Sequence, residues 1–246
     1  MNQVVIKPDE LHGDRQVVLT GRRAEHVLGV LRKGVGGLVR VGLLGGGRGV
    51  AEVVAVKTDG DVSLRCAFTE PALPPTGITL LLALPRPKVL RRLFAPLAGW
   101  GVETLILTNA TKVERVYFDT HWLQPEQYEP LLIEGLEQSG ETRMPKVRVE
   151  RRLKPLVEDE LPHWPGTRLL LHPGADACPA TQARLAGPTL VAIGPEGGWT
   201  DYEVALLRMH GFRCITLGAR ILRSDIAVHS IMGILHGLLL EGEANG

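Results

Sequence analysis

The sequence lacks the cysteine spacing of a zinc site or of a disulfide framework. Its three cysteines, Cys66, Cys178 and Cys214, are odd in number and far apart, and none belongs to a C-x-x-C motif. Histidines and cysteines are not clustered either, so we predict no metal site. Free thiols are typical of a reducing compartment, and we therefore expect a cytoplasmic location.

The sequence also lacks a segment that could enter a membrane. The apolar run over residues 226–240 has only fifteen residues and contains His229, Ser230 and His236. It is too short and too polar to span a bilayer. Residues 1–8 lack the apolar core of a signal peptide. We therefore expect no membrane partner.

A large excess of one charge is absent as well. The formal net charge is +1 at pH 7, from 28 basic and 27 acidic residues, so the overall field does not indicate nucleic acid. Basic residues are nevertheless concentrated in two stretches, 86–92 and 143–154. Most such stretches are solvated surface, and contact with an RNA backbone is the more specific interpretation.

Two patterns of apolar residues divide the chain. The first seventy residues contain short apolar or alternating segments separated by Gly and Asp-Gly turns. With one short helix over 24–31, they predict a small barrel-like β domain. The proline-rich stretch 71–77 is predicted to be a linker. From residue 78 onwards, apolar strands alternate with helices, which is typical of a parallel α/β sheet.

The boundaries of these later elements follow from periodicity and from start and stop signals. Strands are predicted over residues 79–84, 104–107, 146–149, 168–172, 189–193 and 214–217, and helices over 87–99, 125–139, 180–186, 200–210 and 224–241. Pro96 should kink or shorten the first helix. Thr200 and Glu203 form a capping-box pattern, and Gly211 is a stop signal.

Two glycine-bearing turns follow strands near the C-terminus. One is Gly194–Trp199, with the sequence Gly-Pro-Glu-Gly-Gly-Trp, and the other is Leu217–Arg223, with the sequence Leu-Gly-Ala-Arg-Ile-Leu-Arg. Open α/β sheets bind ligands at such strand ends, and glycine lets the main chain approach a ligand closely. The two turns could therefore hold one small molecule. The alternative for the first turn is that its glycines only allow a tight turn and bind no ligand.

The kind of ligand is narrowed by motifs that are missing. No Gly-Lys-Ser/Thr of a phosphate-binding loop, no G-x-G-x-x-G and no G-x-S-x-G occur near these turns. Phosphate-bound nucleotides and hydrolase chemistry are therefore disfavoured. A ligand held by backbone groups, such as an adenine ring, is favoured, and apolar side chains of the second turn could sandwich it. His172 could line a third wall, or it could be structural.

Arg223 stands at the predicted mouth of this pocket. An arginine in such a place suggests an anionic or polarisable partner. The alternative is a structural ion pair with Asp225 or with Glu196. His229 and His236 have no carboxylate or cysteine companions, so they are expected to be interface or core residues rather than metal ligands.

These residues carry a resemblance to a known family. Gly194–Gly198 together with Leu217–Arg223 is similar to the SPOUT class of S-adenosylmethionine-dependent RNA methyltransferases, and within it to the RsmE family of 16S ribosomal RNA uracil-N3 methyltransferases. His26–Arg32 resembles that family's N-terminal RNA-binding signature. Glu137–Gly140 and Arg143–Pro145 resemble its central motif.

The resemblance implies an α/β fold in two domains. Residues 1–72 would be a PUA-like RNA-binding β-barrel, and residues 73–246 a SPOUT-type, trefoil-knotted α/β methyltransferase domain, an exception to the rule that chains do not thread their own loops. It also implies a homodimer, with the apolar final helix at the interface. The substrate would be 16S rRNA, within the small ribosomal subunit.

The resemblance also implies roles for particular residues. S-adenosylmethionine would bind to Leu171, His172, Gly174, Ile193, Gly194, Glu196, Gly197, Gly198, Leu217, Gly218, Ile221 and Leu222. RNA would bind to Arg32, Lys88, Lys112 and Arg143. Arg223 would stabilise the imide anion left when uracil N3 loses its proton, and Asp225 is a candidate base or a residue that orients Arg223.

Three positions depart from the family pattern. Ser224-Asp225-Ile226 stands where Thr-Glu-Thr is usual, Pro96 where a lysine is usual, and Glu141 where an arginine is usual. Pro96 and Glu141 reduce the positive charge of the predicted RNA face, and Asp225 has a shorter side chain than the usual glutamate. They favour an alternative function, namely a catalytically weak or inactive RNA-binding ribosome-assembly factor of the same fold.

Overall fold

The computed structural model describes residues 3–174 and 176–244. The described chain forms two compact units. The first contains the residues up to Pro74 together with Pro130–Met144, and the second contains Pro75–Glu129 and the residues from Pro145 onwards. The chain therefore leaves the first unit at the proline-rich stretch and returns to it for fifteen residues, 130–144.

The first unit is built on a sheet of five strands within the described residues. The strands are β1 (Val4–Ile6), β2 (Gln16–Leu19), β3 (Leu38–Leu43), β4 (Arg48–Val56) and β5 (Val62–Glu70). Their order is β1-β3-β4-β5-β2, with β1 parallel to β3 and the other pairings antiparallel. The alternation of β4 buries Ala51 and Val53 against the core of this unit. The predicted β-rich character is confirmed.

One helical segment follows β2. It consists of α1 (Gly21–Glu25) and a π-helical turn over His26–Val30. Ala24 and Val27 are buried in the core of the first unit. The short helix predicted over 24–31 is thus confirmed, although it starts three residues earlier at Gly21.

The segment 130–144 is joined to this unit by side-chain hydrogen bonds. The Gln3 amide donates to the Glu141 carbonyl at 2.9 Å, and the Thr142 hydroxyl donates to the Gly46 carbonyl at 2.7 Å. The carboxylate of Glu141 is buried and accepts the backbone N–H groups of Thr142 and Arg143 at 2.7 and 3.0 Å. Glu141 therefore has a structural role in the loop that follows the helix α3 (Pro125–Ser139).

The second unit is built on a sheet of seven parallel strands within the described residues. They are β6 (Ile78–Ala83), β7 (Thr104–Thr108), β8 (Lys146–Glu150), β9 (Thr167–Leu171), β10 (Cys178–Pro179), β11 (Thr189–Ile193) and β12 (Arg213–Thr216), in the order β10-β12-β9-β11-β6-β7-β8. Every residue of β6 and β11 is buried, as expected for a parallel sheet covered on both faces. The predicted parallel α/β sheet is confirmed.

Helices connect these strands. They are α2 (Pro87–Gly99), α3, α4 (Leu153–Pro155), α5 (Asp201–Met209) and α6 (Ser224–Ala244). Short 3-10 turns lie at Pro8–Glu10, Arg115–Asp119, His121–Leu123, Leu161–His163 and Ala180–Gln182, and a π turn lies at Leu156–Glu160. Thr200 and Glu203 form the predicted capping box at the start of α5.

One helix prediction was wrong, and the expected shortening of another helix does not occur. Pro96 does not shorten α2, which continues to Gly99, because the buried face that includes Leu93 and Phe94 outweighs one missing hydrogen bond. Residues 180–186 form only a 3-10 turn. The backbone at Ala183 is extended. The Thr167 hydroxyl accepts the Ala186 N–H at 2.8 Å, so this N–H is not available to a helix.

The final helix α6 has a buried apolar side. Val228, Ile231, Met232 and Leu235 are fully buried, at the spacing of one helix face. Nε2 of His236 donates a hydrogen bond to the Trp100 carbonyl, 2.8 Å away, so it is a packed residue as predicted. Among the described residues, none of the helices is long and apolar enough to cross a bilayer.

Candidate functional site

Three neighbouring strands of the second unit end at the same level and open one cavity. The strand β9 lies between β11 and β12, and Leu171 is in register with Ile193 on one side and with Ile215 on the other. The loops that follow these strands enclose a cavity of about 340 Å³. This volume is in the range of small-molecule sites.

The cavity is lined almost entirely by the predicted loops. Its lining residues are Leu171, His172, Pro173, Ile193, Gly194, Pro195, Glu196, Gly197, Gly198, Trp199, Thr216, Leu217, Gly218, Arg220, Ile221, Leu222, Ser224 and Ala227. Every residue predicted to contact the cofactor belongs to this set except Gly174, which lies outside it. The structure therefore brings the predicted loops together, and their individual contacts with a ligand stay predictions.

The first loop, Gly194–Trp199, owes its shape to glycine and to a buried indole. A Cβ at Gly194 would lie 3.1 Å from Nε1 of Trp199, so the loop has little room for a side chain there. Gly198 has a φ of +71° and donates its N–H to the Pro195 carbonyl at 2.8 Å. Trp199 is only 5% exposed, and no described group hydrogen-bonds its indole N–H.

Lys112 fastens this loop from outside the cavity. Its Nζ donates to the Gly197 carbonyl at 2.8 Å, and a Cβ at Gly197 would lie 2.9 Å from Cδ of Lys112. The preceding N–H, that of Thr111, donates to the buried Glu203 carboxylate at 2.7 Å. The loop after β7 is thus hydrogen-bonded both to the glycine-rich loop and to the start of α5.

The hydrogen bonds from Lys112 to Gly197 and from Thr111 to Glu203 were not predicted from the sequence. Lys112 was predicted to contact RNA, and Glu203 was assigned only to the capping box. The Glu203 carboxylate does accept the Thr200 N–H at 2.8 Å, but its other oxygen serves Thr111. The sequence carries no signal for this second contact, because the capping box accounts for Glu203 with only one of its two oxygens.

Glu196 lines the cavity and also reaches a second element. Its Oε1 accepts the backbone N–H of Arg86 at 3.1 Å. Arg86 is the N-cap residue of α2, whose first N–H groups have no partner within the helix. The predicted alternative of a Glu196–Arg223 ion pair does not occur in this arrangement, because Arg223 pairs with Asp225 instead.

The second loop places apolar groups at the mouth of the cavity. Gly218 has a φ of +107°, and its N–H donates to the Thr216 hydroxyl at 3.1 Å. Ile221 lines the cavity and is 91% exposed. An exposed isoleucine at a cavity mouth is suited to contact the flat face of a bound ring.

Arg223 and Asp225 flank the cavity residue Ser224. Nη2 of Arg223 lies 3.2 Å from Oδ2 of Asp225, and Nη2 of Arg92 lies 3.2 Å from the same oxygen. Oδ1 of Asp225 accepts the Ile226 N–H at 3.1 Å. The structural pair of Arg223 with Asp225, predicted as one alternative, is therefore present, and Arg92 joins it. Neither Arg223 nor Asp225 lines the cavity.

The other predicted RNA contacts differ in their surroundings. Arg32 and Lys88 are exposed, and Arg32 has a φ of +52°. Arg143 is half-buried, donates to the Leu73 carbonyl and pairs with Glu141 at 3.4 Å. Arg143 therefore has a structural partner within its own unit. Their contact with RNA stays a prediction.

The described residues contain no group of three or more His, Cys, Asp and Glu side chains arranged to hold a metal ion. The cavity offers backbone groups and apolar side chains, and guanidinium groups lie nearby. These features define an α/β protein with a small-molecule site at the carboxyl ends of its strands.

Comparison with known proteins gives the family. The family model that matches this chain describes an RNA methyltransferase domain and covers residues 72–236. A ribosomal RNA small subunit methyltransferase E from Treponema pallidum is 29% identical over 235 residues, which are 92% of this chain and 87% of that protein. Its namesake from Synechocystis is 28% identical over 244 residues, 96% of this chain and 78% of that protein.

A solved structure agrees with these relatives. A protein of Legionella pneumophila, described as a methyltransferase in complex with the bound cofactor SAM, has a TM-score of 0.76 and 25% identity, covering 96% of this chain and 98% of that one. Because the family model spans well over half of the sequence, the chain belongs to the RNA methyltransferase family. The predicted membership of the RsmE family is confirmed by the curated relatives.

Proposed function

We propose that this protein transfers a methyl group from S-adenosylmethionine to N3 of a uridine in 16S ribosomal RNA. The observation that carries the proposal is the single cavity of about 340 Å³ formed by three adjacent strand ends. Support comes from the family, from the names of the curated relatives and from the SAM-bound neighbour. The substrate position, uracil N3, rests on the resemblance of the two loop motifs.

The residues of the cavity fit this cofactor. Gly194, Gly197 and Gly218 line it without side chains, so backbone N–H and C=O groups are available to an adenine and a ribose. Leu217, Ile221 and Leu222 offer apolar surface for the ring. When bound, S-adenosylmethionine supplies an activated methyl group on a positively charged sulfur.

The chain's own residues have two tasks in this reaction. The loops must hold the methyl donor in line with N3, because a well-oriented pair of reactants saves much of the entropic cost of the encounter. Arg223 must stabilise the negative charge that develops on the uracil when N3 loses its proton, and a guanidinium can donate two hydrogen bonds to its carbonyl oxygen. Arg223 cannot be the base, because it stays protonated, and the N3 proton is proposed to pass to water.

Asp225 is proposed to orient Arg223. Its Oδ2 already accepts from two guanidinium groups and its Oδ1 from a backbone N–H. Both carboxylate oxygens are thus already engaged as hydrogen-bond acceptors, and three donors hold the carboxylate in place. The orienting role therefore explains the geometry better than the role of general base.

The finer architecture is part of the proposal. Residues 1–72 would form a PUA-like RNA-binding barrel, and residues 73–246 a SPOUT domain whose trefoil knot holds the cofactor. Two copies would associate through α6, and the target would be the small ribosomal subunit in the cytoplasm. The five-stranded, largely antiparallel sheet of the first unit and the parallel sheet of the second support two such domains, although residues 130–144 belong to the first unit.

Calorimetric titration with S-adenosylhomocysteine tests the cofactor site. The wild-type protein should bind, and Gly197→Val should not, because its side chain would meet Lys112 and the loop. Gly34→Val is the matched control, since nothing lies within 4 Å of a Cβ there. A folded wild-type protein that gives no heat of binding would refute the proposed cofactor.

Methyl transfer to 16S rRNA tests the reaction. Small subunits from a strain that lacks this protein should accept one methyl group, which mass spectrometry would locate on uracil N3. Arg223→Ala should abolish turnover and leave the affinity for S-adenosylhomocysteine nearly unchanged. Near-normal methylation by that variant would show that another group stabilises the imide anion.

The alternative, an inactive assembly factor of the same fold, makes the opposite prediction for this assay. Two of the departures that favoured it have structural explanations. Glu141 is buried and accepts two backbone N–H groups, and Pro96 lies within an uninterrupted α2. Binding of S-adenosylhomocysteine without any methyl incorporation would favour the alternative.

A further inference from the structure

Three charged side chains meet at the start of α6. The Asp225 carboxylate has a side chain only 16% exposed, whereas Arg92 and Arg223 have side chains 55% and 67% exposed. Both arginines place Nη2 at 3.2 Å from Oδ2 of Asp225. The two Nη2 atoms are therefore no more than about 6.4 Å apart.

This cluster has a net positive charge beside the cavity. Two guanidinium groups stay protonated at every pH of interest, and one carboxylate cancels only one of their charges. Ser224, which directly precedes Asp225, lines the cavity. The excess charge thus lies next to the place where the developing anion of the substrate is proposed to form.

The two arginines come from different elements. Arg223 belongs to the loop after β12, whereas Arg92 belongs to α2, which follows β6. The helix α2 is fixed by a buried face that includes Leu90, Leu93 and Phe94. Arg92 therefore connects the carboxylate to a rigid part of the second unit, although it is 133 residues away in the sequence.

A guanidinium that is two-thirds exposed needs such support. An arginine side chain loses rotamer entropy when it is fixed in one position. The partner that orients Arg223 is Asp225, and the carboxylate itself is oriented by Arg92 on one oxygen and by the Ile226 N–H on the other. Without Arg92, the carboxylate would lose one of these donors and Arg223 would lose its fixed acceptor.

We propose that Arg92 is a positioning residue, which acts through the Asp225 carboxylate to hold the guanidinium of Arg223 in a fixed place beside the cavity residue Ser224. This inference rests on the proposed methyl transfer. A positioning residue affects the rate of the chemical step and not the binding of the cofactor, because it alters only the preorganisation of the stabilising charge. An alternative role, direct contact with an RNA phosphate, would change the apparent affinity for RNA instead.

Steady-state kinetics on undermethylated small subunits separate these roles. Arg92→Met should lower kcat about tenfold, as expected for the misplacement of one preorganised charge, while KM for the RNA and the Kd of S-adenosylhomocysteine stay within about twofold. Arg92→Lys should recover part of kcat, since a lysine can still pair with the carboxylate. Arg91→Met is the matched control on the same helix, because the Arg91 guanidinium stacks on the Trp122 ring. The kcat of this variant should equal that of wild type.

A double variant adds a second criterion. If Arg92 acts through Asp225, then Arg92→Met combined with Asp225→Asn should be no slower than Asp225→Asn alone, because the two changes remove one and the same support. Multiplying effects would contradict this proposal. So would an Arg92→Met variant that raises only KM for RNA, or one that retains the wild-type kcat.

The failure of this inference differs from failure of the proposed function. A folded wild-type protein that transfers no methyl group would remove the proposed function itself. An active wild-type protein whose Arg92→Met variant keeps kcat would remove only the positioning role. Circular dichroism and thermal melting of each variant establish that the comparison is made between folded proteins.

Discussion

Replacing Lys112 by methionine should weaken the binding of S-adenosylhomocysteine about two- to fivefold. Methionine keeps most of the aliphatic side chain that covers Gly197 but cannot donate to the Gly197 carbonyl, which lies 2.8 Å from Nζ of Lys112. A hydrogen bond from a charged donor contributes about 1.5–3 kcal/mol when sheltered. Lys112 is exposed, so about 0.5–1 kcal/mol is realistic here, and 1.4 kcal/mol corresponds to a tenfold change in affinity.

The same variant distinguishes two roles of Lys112. If the residue mainly fastens the loop, the Kd of S-adenosylhomocysteine rises in calorimetry. If it mainly contacts RNA, as the sequence predicted, the Kd stays constant and KM for the small subunit rises. Lys88→Met is the matched control, because Lys88 was also predicted to contact RNA but lies exposed on α2. It should leave the Kd of S-adenosylhomocysteine unchanged.

A second substitution probes the same contact from the other side. A Cβ at Gly197 would lie 2.9 and 3.2 Å from Cδ and Cβ of Lys112, so Gly197→Ala should displace the lysine and weaken binding. In a Lys112→Ala background the alanine at 197 has no long side chain to displace, and its effect should shrink. Equal effects of Gly197→Ala in both backgrounds would refute the fastening role of Lys112.

Two further predictions concern groups outside the cavity. Burial raises the pKa of the Cys66 thiol to about 11, whereas Cys178 is exposed. A thiol reagent at pH 8 should therefore modify Cys178 rapidly and Cys66 only on unfolding. A fast phase of modification that persists in Cys178→Ser would contradict this prediction. Burial also raises the pKa of Glu137 above its ordinary value, so its contribution to stability is greatest below that ordinary pKa and is lost as pH rises through the native pKa. The melting temperature of Glu137→Gln should accordingly gain on that of wild type as pH rises above the ordinary pKa of glutamate, and a melting temperature that falls further behind wild type over that rise would oppose the reasoning.

The local elements were predictable because their signals are local. The helices over 87–99 and 125–139 and the strand over 189–193 have the predicted bounds, since each combines a clear apolar period with a start or stop residue. The exceptions required information from distant residues. The turn at 180–182 depends on the hydroxyl of Thr167, and the placement of 130–144 depends on hydrogen bonds from Gln3.

The strand order also lay beyond the sequence. The two glycine-bearing turns follow β11 and β12, which are consecutive in the chain but are separated in the sheet by β9. The Leu171–Gly174 segment follows the central strand of the three, and its residues Leu171 and His172 line the cavity between the two turns. Periodicity identifies strands, but their neighbours are fixed by long-range packing.

The site shows the same division between local and distant information. The loops that line the cavity carry motifs, so the sequence identified them. Arg92 carries no motif, and its link to Asp225 spans 133 residues. Lys112 was recognised only as a cation, although its bond to the Gly197 carbonyl spans 85 residues. Supporting residues of this kind have ordinary local surroundings, and only the folded chain distinguishes them from solvated surface charges.

The departure at Asp225 illustrates how such support changes the interpretation of a sequence. A shorter acid than the usual glutamate favoured weak catalysis, because its carboxylate reaches about one methylene less far. In the structure that shorter carboxylate stays close to the backbone, where Oδ1 accepts the Ile226 N–H at 3.1 Å, and Oδ2 is met by both arginines at 3.2 Å. The long side chain of Arg92 extends from α2 to the Asp225 carboxylate and so compensates for the shorter acid. Asp225→Glu should therefore lower kcat, because the longer side chain would displace this shared oxygen, and a variant as fast as wild type would show that the fixed position of the carboxylate is unimportant.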